Sequence, residues 1–308
     1  MSGVGRFRFP PLRRKREEKQ RKEPINTEDT DNARVPIVFI SKEPVENLVE
    51  LPCFFVTVAF MRTLLLLLAL AISARAAEPI HALYITGGCC HEFTAQKKTL
   101  TEGIGARTDI VWTIEDKGET DDKNIRFSTF DKPDWNKGFD VVVYNMCSGK
   151  FTNVDYIEKI AAVHRETGLP AVVIHCSMHT FREAKTDEWR KLLGVSSYRH
   201  EKQQPFDVTV VKPENPIMKG FPLLWHDPMD EQYVTVKLWP NTISLATATG
   251  HDKDKSKNTV VWANTYGKAR VFGTTIGHLN KVMATDEYLD MMTRGLLWAC
   301  KKPVELKH

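Results

Sequence analysis

Between residues 80 and 179 the chain alternates apolar, strand-like runs with amphipathic, helix-like segments, and that alternation leaves few folds open. Ile80–Thr86 (IHALYIT) is a β-run stopped by Gly87 and Gly88. Thr94–Arg107 has helical composition with Thr94 as its cap, Asp109–Glu115 reads as a second strand, and 116–137 as polar loop. Phe139–Met146 (FDVVVYNM) is a buried strand. Val154–Thr167 carries Ile157, Ile160, Ala161 and His164 at 3–4 spacing and ends at Gly168-Leu169-Pro170. Ala171–Ile174 is a fourth strand, delivering His175, Cys176 and His179. Continuous apolar strands need cover on both faces, so the pattern predicts an α/β fold with a doubly wound, mostly parallel sheet.

The second half adds β-structure. Thr186–Leu193 is a short helix stopped by Gly194. Phe206–Val211, Glu231–Val236, Ile243–Thr247, Thr259–Asn264 and Ala269–Ile276 read as strands, and Asp286–Cys300 as a closing helix. One domain over 77–302 is the expectation.

Met61–Ala76 (MRTLLLLLALAISARA) has a basic start at Arg62, an apolar stretch over Leu64–Ile72 and a small-x-small end at Ala74-Arg75-Ala76. That is the pattern of a secretory signal peptide, cleaved near Ala76 to give a periplasmic or extracellular protein. It lies behind residues 1–60, which read as a disordered or mis-annotated extension. The competing reading joins Cys53–Phe60 to Leu64–Ile72 as one membrane anchor. From residue 77 onward 30 basic and 30 acidic residues balance, so no charge argument points to a nucleic-acid partner. Five cysteines follow the signal segment: Cys89, Cys90, Cys147, Cys176 and Cys300. No CxxC pair occurs among them, and the spacing does not suggest a disulfide framework.

Parallel strands deliver their last residues to one crevice at the carboxyl edge of the sheet. Cys89, Cys90, His91 and Glu92 follow the first strand, Cys147 the third, His175, Cys176 and His179 the fourth, and His278 the last. Three chemistries compete for these residues. A nucleophilic Cys176 is disfavoured, because the glycines that ease a nucleophile elbow are missing around it. A divalent metal such as zinc, held by a subset of His91, His175, His179, His200, Glu231 and His278, is the second. Metal-free acid–base work by histidine with Glu92 or the Asp230-Glu231 pair is the third. His81, His164 and His251 read as ordinary hydrogen-bonded residues. Trp225, Trp239 and Tyr233 could stack on sugar faces, while Trp262 reads as core.

Five stretches, in order, resemble the ThuA-like (trehalose utilisation) family: ITGGCCHEF (Ile85–Phe93), VVIHCSMH (Val172–His179), EWRKLLGVSSYRH (Glu188–His200), MDEQY (Met229–Tyr233) and VWANTYGKARVFGTTIGH (Val260–His278). The resemblance implies a flavodoxin-like, class I glutamine amidotransferase-like fold without the amidotransferase machinery. It implies a role in carbohydrate catabolism, on a glycoside or keto-sugar, with a small-molecule carbohydrate as partner. Its pocket residues carry over as His91, Glu92, His175, His200, Asp230, Glu231 and His278. A sugar-binding or envelope interaction protein without turnover is the alternative.

Overall fold

A nine-stranded sheet organises the protein. The computed structural model describes residues 78–307 with the exception of 254, so the expected extension (1–60) and signal segment (61–76) lie outside the described residues. In chain order the elements are β1 (Ile80–Gly88), α1 (Phe93–Gly105), β2 (Ile110–Glu119), β3 (Val141–Cys147), α2 (Val154–Thr167), β4 (Ala171–Ile174) and α3 (Glu188–Leu193). They continue as β5 (Val195–Ser196), β6 (Gln204–Val210), β7 (Leu224–Asp230), β8 (Lys237–Leu238), β9 (Ile243–Thr249), β10 (Lys257–Tyr266), β11 (Ala269–Thr274), α4 (Asn280–Met283) and α5 (Asp286–Ala299). The sheet order is β2-β1-β3-β4-β11-β10-β9-β6-β7. Its first five strands pair parallel and the remainder antiparallel. The expected mostly parallel core with added β-structure is therefore present. Among the described residues no helix is long and apolar enough to cross a membrane.

Side chains of the inner strands alternate between two apolar layers, as a period of two demands. Val172 and Ile174 of β4 join Val141 and Val143 of β3 under α1 and α5. Ala171 and Val173 join Val142 and Tyr144 under α2 and α3. Burial on both faces explains why these strands read as unbroken apolar runs.

Several boundaries differ from the sequence reading. Helix α1 begins at Phe93, and its N-cap is Glu92, not Thr94. Strand β2 runs on to Glu119 through a bulge that pairs Gly88 with Glu119; its last residues, Asp116, Lys117, Gly118 and Glu119, carry no apolar side chain, which is why that end reads as loop. The expected strand at Glu231–Val236 is absent apart from one bridge, His200 to Tyr233. The strand lies just upstream as β7, which turns Trp225, Asp227 and Asp230 inward. Two of those three are carboxylates, so no apolar alternation marks it, and Pro228 fits because β7 is an edge strand.

Trp262 sits in the core as the sequence suggests, and His164 is the ordinary hydrogen-bonded residue expected. The His164 ring is fully buried, with Nδ1 2.6 Å from the Leu169 carbonyl oxygen and Nε2 2.7 Å from the Tyr144 hydroxyl. Burial pushes its pKa down to about 4. The unfolded chain takes up this proton near pH 6.5 and the folded chain only near 4, so stability is complete above about pH 6.5 and falls as pH drops toward 4. Unfolding in urea at pH 7.5 and pH 5 should show His164 removing about 2 kcal/mol across that interval. His164→Gln, which can keep both hydrogen bonds, should lose that much less; equal losses in the two proteins would refute the assignment.

Candidate functional site

Three histidines from three separate strand ends meet at the carboxyl edge of the parallel strands. His91 follows β1, His175 follows β4 and His278 follows β11. Ring centroids lie 4.9 Å apart for His91 and His175, 4.7 Å for His91 and His278, and 5.5 Å for His175 and His278. One donor nitrogen from each lies within 4.8 Å of the other two. His91 Nδ1, His175 Nε2 and His278 Nδ1 are all buried with no hydrogen-bond partner. Buried polar atoms in folded proteins are ordinarily paired, so three orphans converging from different elements need an explanation.

Glu231 stands over the group. Its Oε2 is 3.6 Å from His175 Nε2, 3.4 Å from His278 Nδ1 and 3.6 Å from His200 Nδ1. Burial alone would raise its pKa, but the facing His175 and His278 rings hold the carboxyl well below the usual range. His91 is driven the other way: burial, then repulsion by His175 and His278, pushes it down to about 2 and keeps the ring neutral. A neutral imidazole with an unpaired nitrogen is the form that ligates a metal.

The backbone around the site is tightly specified. His175 sits at φ +41°, in the left-handed region. A non-glycine residue held there costs on the order of 1–2 kcal/mol. The strained strand-to-helix turn of an elbow is thus present, but it carries His175 in place of Cys176. The Thr275 carbonyl oxygen, 2.5 Å away, accepts from His175 Nδ1, which fixes the tautomer and leaves Nε2 bare. Gln203 Nε2 donates to His278 Nε2, 2.7 Å away, which puts the proton of that neutral ring on Nδ1; ligation through Nδ1 requires the Gln203 amide to turn so that its oxygen accepts from Nε2–H.

The turn bearing His278 is clamped from two sides. Asp230, fully buried, accepts from the N–H groups of Gly277 (2.7 Å) and His278 (3.1 Å) and from that of Glu231 (2.7 Å). From below, Gln96 Nε2 donates to the Gly277 and His278 carbonyls at 3.2 and 3.1 Å. Asn145 in turn donates to Gln96 Oε1 at 3.0 Å. Sequence reasoning missed Gln96, Asn145 and Gln203. Gln96 and Asn145 had a readable signal: each is a polar residue on an otherwise apolar stripe, of α1 and β3 respectively.

The other expected residues take different places. Glu92 is exposed at the rim and accepts from the Asn280 amide. His200, 40% exposed, holds Nδ1 2.8 Å from the Glu201 carbonyl oxygen. His179 is not in the donor group: its ring stacks on Tyr233 at 4.2 Å, and Nε2 lies 3.2 Å from Ser197 Oγ. Tyr233 itself is buried as packing between His175 and His179, Trp225 is core, and Trp239 stacks with Lys237. Access is through an open cleft of about 520 Å³ lined by Cys90, His91, Glu92, Glu119, Asp121 and His278, among others.

The cysteines correct the sequence reading. Cys89 is bonded to Cys90 and Cys147 to Cys176, leaving Cys300 free among the described residues. One pair is sequence-adjacent on a turn and the other joins the ends of neighbouring parallel strands, arrangements that spacing cannot reveal. As thiols, Cys89, Cys90 and Cys147, or His91 with Cys147 and Cys176, form further groups able to hold a metal.

Comparison with known proteins places the fold. A ThuA-like protein of Parabacteroides merdae superposes with a TM-score of 0.58 at 19% identity, over 75% of this chain and 92% of that one. One from Bacteroides uniformis gives 0.56 at 16% identity, over 73% and 93%. No curated protein matches the sequence significantly. The family model for ThuA, described as trehalose utilisation, matches residues 81–299. That span takes in every strand end that builds the site, and the chain belongs to the ThuA family, on a glutamine amidotransferase-like fold.

Proposed function

We propose that the protein is a carbohydrate-active enzyme whose centre is a divalent metal, zinc by preference, held by His91, His175 and His278 with Glu231. The observation that carries this reading is the convergence of three buried, unpartnered imidazole nitrogens beneath one carboxylate. A nitrogen-rich donor set with a single carboxylate suits zinc and its first-row neighbours. When bound, such a metal supplies a Lewis acid for a sugar carbonyl or hydroxyl.

The chain's own residues divide the remaining work. Glu231 is a poor general base, because its proton affinity lies far below neutrality; it is a charge-balancing ligand. His200 is half-exposed, with Nδ1 held by the Glu201 carbonyl and 3.6 Å from Glu231 Oε2, so its ring forms the solvent-side wall of the centre. Glu92 at the rim is placed to accept hydrogen bonds from substrate hydroxyls, with Asn280 steadying it. Asp230 is a positioning residue. The family supports a carbohydrate-related role, and a glycoside or keto-sugar is the substrate class. Export through the Met61–Ala76 segment is part of the same proposal.

The test is a metal analysis of purified protein together with a turnover panel of disaccharides, simple glycosides and their 3-keto derivatives. The expected result is close to one zinc per chain and hydrolysis or isomerisation of a keto-sugar that stops on chelation and returns with metal. Sugar binding without turnover across the panel would leave a binding protein in place of an enzyme. Full activity in metal-free protein would sink the metal.

A further inference from the structure

The four bonded cysteines lie in a line from solvent to the histidine site. Cys90 is exposed and turns sharply, at φ +83°. Its partner Cys89 is 4% exposed. Cys89 Sγ is 3.5 Å from Cys147 Sγ, and Cys147 is bonded to Cys176; these two are 5% and 4% exposed. With Phe93, the inner three form a small apolar cluster of their own. Cys147–Cys176 is thus closed to any large reductant, yet one of its sulfurs touches a sulfur of the pair that reaches the surface. The close approach is built in: Gly88, at φ +126°, pairs with Cys147, and a Cβ there would collide with the Cys147 carbonyl.

We infer that Cys89, Cys90, Cys147 and Cys176 form a dithiol–disulfide relay that carries two electrons from an external dithiol to the buried Cys147–Cys176 bond. A thiolate of the external dithiol attacks Cys90 Sγ, and the Cys89–Cys90 bond breaks with Cys89 leaving as thiolate. Cys89 attacks Cys147 Sγ; the Cys89–Cys147 bond forms and Cys176 leaves as thiolate. The external dithiol's second thiolate closes its own disulfide and releases Cys90 as thiolate. Cys90 then attacks Cys89 Sγ, restoring Cys89–Cys90 and releasing Cys147. In sum, one dithiol is oxidised to a disulfide, one buried disulfide is reduced to two thiols, and the two protons follow the electrons. The outer pair is a carrier and ends as it began. A dithiol protein of thioredoxin type is the matching reductant, since only Cys90 is open to a partner of that size. The inference is independent of whether the histidines hold a metal.

Cys90→Ser tests it directly in the full chain. With Cys90 absent, Cys89 is a free thiol in contact with Cys147. Non-reducing peptide mapping should find a Cys89–Cys147 disulfide with Cys176 as the free thiol. An intact Cys147–Cys176 bond beside a free Cys89 would overturn the relay. A wild-type measurement covers the case in which the variant does not fold. Protein treated with one equivalent of reduced thioredoxin and then alkylated should carry label on Cys147 and Cys176. Label confined to Cys89 and Cys90, no label at all, or four thiols holding a metal in protein purified without reductant would each overturn it.

Discussion

On the proposed metal centre, His175→Ala should abolish metal loading. The ring supplies the most deeply set of the three donor nitrogens, 1% exposed, and its tautomer is fixed by Thr275. Losing one of four ligands costs more than the roughly 10–100-fold in affinity typical of disturbing an outer-shell partner, so a loss of at least about 100-fold is expected. In wild type, zinc at 100 times its dissociation constant should stabilise the fold by about 2.7 kcal/mol. The alanine variant should show no zinc-dependent rise in Tm, and its turnover should fall with its metal content. His179→Ala is the control. That ring packs on Tyr233 and lies outside the donor group, so metal content should stay within about twofold, by the rule that only ligands and their direct partners set affinity. If His179→Ala empties the site while His175→Ala does not, the ligand assignment is wrong.

That contrast also marks how far sequence alone reaches. His91, His175 and His278 were legible because each follows an apolar run, and topology does the rest: parallel strands open their carboxyl ends to one crevice. His179 is grouped with them because it follows the same strand as His175; the chain passes through a single tight turn at His175–Met178 that swings His179 toward Tyr233. Glu231 was found, but in an expected strand that the structure does not have. What placed it is β7, a strand whose inward residues include two buried aspartates and so carries no apolar pattern. The vicinal and cross-strand cysteine bonds had no sequence signature either, since the first depends on the turn at Cys90 and the second on the register of β3 against β4. Local periodicity reads out the frame; it is silent where a buried polar residue is paired by something distant in the chain.

Asp230 is the clearest such residue, and Asp230→Ala should be the most damaging single change in the site. Three backbone N–H groups, from Glu231, Gly277 and His278, converge on its carboxylate. An orphaned buried donor costs about 1–3 kcal/mol, and the His278 and Glu231 groups retain partial access to water, so a loss of about 3–5 kcal/mol is expected. Metal binding should fall with it, because the freed turn carries His278. A second readout separates this role from simple loss of packing. Burial first, and the negative charge of Asp230 second, raise Asp227 to about 7. A carboxyl that keeps its proton in the folded chain and gives it up near pH 4 when unfolded makes the protein less stable as pH rises from about 4 to 7. Removing Asp230 relieves part of that penalty. The stability gap between wild type and Asp230→Ala, measured in urea, should therefore be widest near pH 4.5 and narrow toward pH 7. A gap that is constant across that range would mean that Asp230 does not act on Asp227, and a gap below about 1 kcal/mol would mean that the three N–H groups find other acceptors.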